Sequence, residues 1–168
     1  NRIKLLPLDL GNLKNLSNLN LTHNQIRELP ASIGKLKHLK SLNLTWNNLT
    51  LLPPSIGSLE NLEVLVIYEN RLQTLPESIG SLKKLKYLNL WGNNLKSLPS
   101  SIGHLVSVEE ISLNGNKLIK IPETIGNLYN LKKLSLNNNK LEFLPSSLET
   151  LSNLKELSFK WNKIPDQT

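Results

Sequence analysis

The sequence predicts an α/β solenoid of short parallel strands and short helical turns, and three observations carry that reading. Leu13, Leu36, Leu59, Leu82, Leu105, Leu128 and Leu151 recur at a fixed interval of 23 residues. Asn24, Asn47, Asn70, Asn93, Asn116, Asn139 and Asn162 follow at one constant offset, with no insertion or deletion. A Pro column (Pro7, Pro30, Pro53 and onward to Pro145) and a Gly column (Gly11 to Gly126) hold two further fixed places. A period of this size means that each unit buries its apolar face only against its neighbours.

The single domain spans residues 1–168: a partial repeat at 1–12, six full repeats over 13–150 and a partial repeat at 151–168. In the unit 13–35, Leu19 and Leu21 alternate with Asn18, Asn20 and Thr22. Period-2 alternation is the mark of a strand with one buried face. The strand is expected to run about five residues. Because successive strands run the same way, the sheet is expected to be parallel. Asn24 ends the strand, and its amide can donate and accept at once. Stacked turns would then hold a ladder of such amides. Leu29-Pro30 opens the return path, since Pro suits the first position of a helical turn. Ile33-Gly34 closes it, read as a left-handed glycine stop. The three residues between Pro and Gly allow only a 3-10 or single-turn helix.

Composition narrows the function. The chain has neither Cys nor Met. Disulfides and Cys-based metal sites are excluded, which fits a reducing cytosol or a bacterial protein in any compartment, secreted or surface. No apolar run approaches the length of a membrane span, so membrane insertion is not expected. Residue 1 falls mid-repeat and the chain stops mid-repeat, the pattern of a piece of something longer. The net charge is +7, and along the chain it alternates in blocks. Residues 59–81 sum to −3 and residues 82–104 to +4. Such blocks do not form the continuous basic stripe that nucleic acid requires, so no nucleic acid partner is expected.

The unit LxxLxxLxLxxNxLxxLPxxIGx resembles the leucine-rich repeat, and its LPxxIGxL half is the specific part. It is similar to the 23-residue class found in plant intracellular Ras-group-related proteins, animal Ras-scaffold proteins and many bacterial repeat proteins. The resemblance covers essentially residues 1–165. It implies a right-handed leucine-rich-repeat horseshoe with a parallel concave β-sheet and short 3-10 or helical turns on the convex side. It also implies ligand binding on the concave face, usually of protein, and no catalytic residues or cofactors.

The positions that the repeat leaves free are then informative. Four columns on or beside the exposed sheet face hold five of the chain's eight aromatics: Trp46, Tyr68, Tyr87, Trp91 and Trp161. No core requirement places rings there. Val64, Val66 and Tyr68 lie along one strand and Tyr87, Asn89 and Trp91 along the next, with Trp46 one repeat earlier. Trp46, Val64, Val66, Tyr68, Tyr87, Asn89 and Trp91 are therefore the predicted partner-binding residues, because Tyr and Trp dominate hot spots. The later repeats present Asn114, Asn137, Asn138 and small Ser residues, read as solvent. Just before each strand, Lys40, Glu63, Lys86, Glu109 and Lys132 alternate in sign, and Glu110, Lys133 and Glu156 repeat the pattern beside them. Adjacent turns would then face each other as ion-pair ladders that fix register.

Other signals carry no chemistry. His23, His38 and His104 occupy different places in the repeat, with no metal-ligand spacing and no nucleophile set. Matches to the N-glycosylation pattern at Asn15, Asn20, Asn43 and Asn48 arise from the repeat's own composition. The expected function is non-enzymatic recognition of a protein or peptide on the concave face. Two alternatives are a carbohydrate-binding surface protein and end-to-end self-association of the solenoid. For the latter, the N-terminal end (Ile3, Leu6 and Leu10 with Leu5 and Leu8 beside them) is expected to be the stickier. At the other end, Trp161 and the tail 165–168 are expected to cover part of the last turn.

Overall fold

The computed structural model describes residues 1–165. Seven three-residue strands form one parallel sheet in sequence order: β1 (Asn18–Asn20), β2 (Ser41–Asn43), β3 (Val64–Val66), β4 (Tyr87–Asn89), β5 (Glu110–Ser112), β6 (Lys133–Ser135) and β7 (Glu156–Ser158). Each strand pairs with the next at the 23-residue offset, as in Leu42↔Leu65 and Leu65↔Leu88. Between strands lie 3-10 helices of five residues, such as Ala31–Lys35 and Pro54–Ser58. Only the first, Leu10–Asn12, is shorter.

The strands are shorter than the alternation predicts, and in every turn a left-handed residue three positions past the strand bends the chain away. In three turns an Asn at the strand end turns back on its own chain. Asn20 Oδ1 accepts the Thr22 N–H at 3.1 Å, Asn43 Oδ1 that of Thr45 at 3.0 Å and Asn89 Oδ1 that of Trp91 at 3.0 Å. Such a local bond competes with the ladder. Pairing between turns nonetheless continues at alternate residues. Leu21 N–H reaches Asn43 O at 2.8 Å and His23 N–H reaches Thr45 O at 2.9 Å.

The apolar side of every interior turn is sealed. Leu42, Leu65, Leu88 and Leu134 are fully buried, whereas Leu157 at the last strand is 37% exposed. Burying such a side chain contributes about 1.5–3 kcal/mol, and the interior turns obtain it from both neighbours. The Asn column forms the expected ladder. Asn47 Nδ2 donates to Leu21 O at 2.9 Å and Leu44 O at 3.1 Å, while its Oδ1 accepts the Ile26 N–H at 3.0 Å. One side chain thus ties its own turn to the one before, and Asn70, Asn93, Asn116 and Asn139 are buried in equivalent places.

Two expected roles change. Pro30 does not begin the helix; at φ −66°, ψ 145° it is the extended residue that caps it. Pro76 and Pro99 do the same. The column's fixed φ aims the chain into the turn rather than starting it. Gly34 is not a left-handed stop either. It lies inside the 3-10 helix, and Leu36 ends that helix at φ −78°, ψ 66°. The requirement is for space: a Cβ at Gly34 would lie 2.6 Å from Ser55 O of the following turn. The last turn carries Glu149 at this place, where no later turn among the described residues packs against it. Beside the glycines, the hydroxyls of Ser32, Ser55, Ser78, Ser101 and Ser147 are buried without a partner among the described residues.

The left-handed conformation sits elsewhere. His23, Trp46, Glu69, Gly92, Gly115, Asn138 and Trp161 all have φ between 52° and 68°. They form the column between the strand and the ladder Asn, where every turn bends away from the sheet.

Candidate functional site on the concave face

The exposed side of the sheet is built from the first and third residues of each strand and from the residues that follow. Register places Val64 beside Tyr87 and Val66 beside Asn89. All four are half-buried by one another. Beyond the strand ends, Tyr68 and Trp91 pack at 5.2 Å between ring centroids, tilted by 50°. Trp46 N–H donates to Tyr68 O at 2.9 Å, which links the earlier turn to this pair. Trp46 is 49% and Trp91 46% exposed. The seven residues expected to form the patch are therefore neighbours across β2, β3 and β4.

Asn89 is hydrogen-bonded to the Trp91 backbone and to the Tyr87 hydroxyl: its Oδ1 holds the Trp91 N–H, and its Nδ2 lies 3.3 Å from the Tyr87 oxygen. The other amides nearby are also engaged. Asn114 Oδ1 accepts the Asn137 N–H at 2.8 Å, and Asn137 Oδ1 accepts that of Lys160 at 2.7 Å.

Sequence reasoning missed three features. His23 stacks edge-on to Trp46 at 4.4 Å and 61°, so the aromatic stripe begins one turn earlier, at β1. The signal was present, since His23 and Trp46 share a column. Gly92 and Gly115 form a floor for larger neighbours. A Cβ at Gly115 would lie 3.1 Å from the Trp91 ring, and one at Gly92 would lie 2.7 Å from the Glu69 carboxylate. Finally, a shallow cavity of about 350 Å³ opens beside Trp91, with Tyr87, Glu110 and Lys133 among its lining residues. It extends the patch toward the later strands, where the sequence predicted plain solvent.

Charges flank this surface in pairs. Lys86 meets Glu63 at 2.8 Å, Lys132 meets Glu109 at 2.6 Å and Lys133 meets Glu156 at 2.7 Å. These are isolated rungs of the ladders expected from the alternating columns; Lys40 and Glu110 join no ion pair among the described residues. A hydrogen bond from the Lys86 ammonium, and its charge, hold the Glu63 carboxyl below its ordinary range. Lys132 does the same to Glu109, and Glu156 raises the Lys133 ammonium in turn. Among the described residues no group of His, Asp or Glu is arranged to hold a metal ion. No described helix is long and apolar enough to cross a membrane.

Both ends expose apolar side chains. Ile3, Leu5, Leu8 and Leu13 do so at the start, and Phe143, Leu157, Phe159 and Trp161 at the finish. The larger cavity, about 810 Å³, is C-terminal and lined by Phe143, Leu157, Phe159 and Trp161 among others. Trp161 is 77% exposed and lines that face rather than covering it. Residues 166–168 of the tail expected to help it lie outside the described residues.

A comparison with curated proteins returned no match. Solved structures do match. A leucine-rich repeat protein of Leptospira interrogans is 36% identical with a TM-score of 0.72, over 99% of this chain and 48% of that one. The plant peptide hormone receptor RGFR1, solved in complex with RGF2, is 33% identical with a TM-score of 0.84, over 98% of this chain and 27% of the receptor. PEPR1, solved with AtPEP1, is 37% identical with a TM-score of 0.85, over 94% of this chain and 23% of that one. The chain thus spans at most about half the length of these relatives. A leucine-rich repeat region profile matches residues 1–68 and 31–116, and a leucine-rich repeat profile matches 107–128 and 130–151. With unbroken turns, one open parallel sheet and these matches together, the chain belongs to the leucine-rich repeat family.

Proposed function

We propose that this chain is a non-enzymatic recognition module that binds a protein or peptide on its concave face, centred on Trp46, Val64, Val66, Tyr68, Tyr87, Asn89 and Trp91. One observation carries the reading. Trp46 holds a half-exposed indole on a left-handed backbone at φ 55°. That conformation costs an ordinary residue about 1–2 kcal/mol, and Gly fills the same column at Gly92 and Gly115. A bulky ring kept at a strained, solvated position points to use rather than to packing. RGFR1, similar to this chain, is a plant peptide hormone receptor solved in complex with RGF2, which supports a peptide or protein ligand.

A sugar ligand is less favoured. It would draw on Asn43, Asn89 and Asn114, whose amide oxygens already accept backbone N–H groups.

Selection of peptides from a random display library against the immobilised chain tests the reading. Selected peptides should lose about tenfold or more in affinity against Tyr68→Ala and Trp91→Ala, as for hot-spot rings. They should bind Lys160→Ala normally, and all three variants should keep the parent circular dichroism and melting temperature. If both ring variants unfold, the rings are structural and the proposal fails. Self-association through the apolar ends is a second reading, favoured by the C-terminal cavity. Light scattering that shows a concentration-independent monomer would remove it.

A further inference from the structure

The chain's positive charge is concentrated on one rim. Each turn leaves its strand through the left-handed residue and the ladder Asn, then runs along the sheet edge before reaching the Pro. The residue after the ladder Asn stacks turn upon turn. Arg71 N–H bonds Leu49 O at 2.9 Å, Lys117 N–H bonds Leu95 O at 2.9 Å and Lys163 N–H bonds Leu141 O at 2.8 Å. This column holds Arg2, Arg71, Lys117, Lys140 and Lys163 and no acid. Two or three residues on, Lys4, Arg27, Lys96 and Lys120 join them, against Glu28 and Glu142. Among the described residues the rim therefore carries nine bases and two acids, a net +7, while the other columns hold eleven bases and ten acids. Counted along the chain, this charge is hidden in alternating blocks; counted down the columns, it is one stripe about 30–35 Å long at ~4.8 Å per turn.

Three properties of the rim point to one occupant. All nine bases are exposed, and none joins an ion pair or a side-chain hydrogen bond among the described residues. The opposite rim differs: there Lys37, Lys86 and Lys132 are each paired to a Glu. Second, Leu5, Leu51, Ile119 and Phe143 project from the same basic rim, each at least 49% exposed. Third, the strands pair without stagger. Their ends finish level, so the residues that follow them stack along one edge of the sheet. A cationic edge studded with aliphatic tips matches a bilayer surface, where cations meet lipid phosphates and apolar tips enter the headgroup boundary. Nucleic acid fits less well, since its single strands ask for rings to stack on, and three of the four tips are aliphatic. Arg27 and Arg71 frame a cavity of about 440 Å³ with Asn48 and Thr50, a seat with the guanidinium donors that a phosphodiester takes.

We propose that this rim docks the solenoid onto a membrane surface rich in anionic phospholipid, leaving the concave face open to solvent. The proposal does not rest on concave-face recognition, which uses other columns.

Co-sedimentation with vesicles of phosphatidylcholine, with and without phosphatidylglycerol, tests it. The chain should bind only the vesicles that contain phosphatidylglycerol, and added salt should weaken the binding. Lys117→Gln and Lys140→Gln should each lower partitioning about fivefold. Ile119→Ser with Phe143→Ser should lower it again, whereas Lys83→Gln with Lys84→Gln, off this rim, should leave it unchanged. Equal binding to both vesicles, or none, overturns the proposal. So does an equal loss in the Lys83/Lys84 variant. Tight capture of duplex DNA that is indifferent to Ile119→Ser and Phe143→Ser, with no vesicle binding, makes the rim a nucleic-acid site instead.

Discussion

Trp46 and Asn47 are adjacent in the chain and belong to columns with opposite duties. Asn47 is buried, makes contacts across two turns and has an identical counterpart in every repeat. Trp46 is half-exposed on a strained backbone, and its column holds His, Trp, Glu, Gly and Asn. The ladder column answers to backbone groups that must be satisfied away from water, and only one side chain fits them. The left-handed column answers only to a φ value, so it is free to vary and can carry a surface. Stability, and the recognition proposed above, thus fall to neighbouring columns rather than to separate regions.

The largest expected effect breaks the first column. Asn93→Ala strands the Leu72 N–H and the Ile67 carbonyl, which Asn93 meets at 2.9 and 2.8 Å, and leaves the Leu90 carbonyl with Asn116 alone of its two amide donors. An orphaned buried group costs about 1–3 kcal/mol, so the urea midpoint should fall sharply. Asn94→Ala, one residue along and outside the ladder, should hardly move it. Equal midpoints for the two variants would erase the distinction between the columns.

The contrast shows why parts of the molecule were legible in sequence and others were not. The ladder was readable because one physical demand, repeated, leaves one letter repeated. The concave patch was readable because Val64, Val66, Tyr68, Tyr87 and Trp91 stand where the repeat asks for nothing. Gly34 was misread because a glycine needed for space and one needed for a positive φ look alike in sequence. The true left-handed column was hidden for the converse reason. Trp46, Glu69 and Trp161 are poor left-handed formers, and only Gly92, Gly115 and Asn138 hinted at it. The basic rim was invisible along the chain because its members lie 23 residues apart with acids of other columns between them.

A smaller effect sharpens the second column. Gly92 sits at φ 68°, and an added Cβ would also crowd the Glu69 carboxylate. Gly92→Ala should therefore lower stability by about 1–2 kcal/mol, with Glu69 swinging aside to relieve the contact. The reverse exchange is Glu69→Asn. Asn tolerates the left-handed region and brings none of glycine's unfolded-state freedom. That variant should gain about 0.5–1 kcal/mol in chemical denaturation. A loss there would mean that the Glu69 carboxylate, and not only the backbone angle, is needed beside Gly92.

The smallest expected effect concerns the ion-pair ladders, which lie on exposed columns and should behave like the left-handed column rather than the Asn ladder. The carboxyls of Glu63 and Glu109 are held below their ordinary range by hydrogen bonds from Lys86 and Lys132. A carboxyl depressed in the folded state contributes stability above its unfolded pKa, about 4.3 for Glu, and loses it as pH falls through the folded value. The ammonium groups of Lys86 and Lys133 are raised by Glu63 and Glu156. They contribute below the unfolded lysine value of about 10.4 and lose it as pH rises through the folded one. Stability should thus stay level between these limits and decline gently outside both. Glu63→Gln with Glu109→Gln should flatten the acid side in denaturation at stepped pH, and high salt should mimic it because exposed pairs are screened. An acid slope as steep in the double variant as in the parent would place the titration elsewhere. The next carboxyl to test would be Glu123, whose pKa is lowered by hydrogen bonds from Ser147 and Ser146 on the convex side.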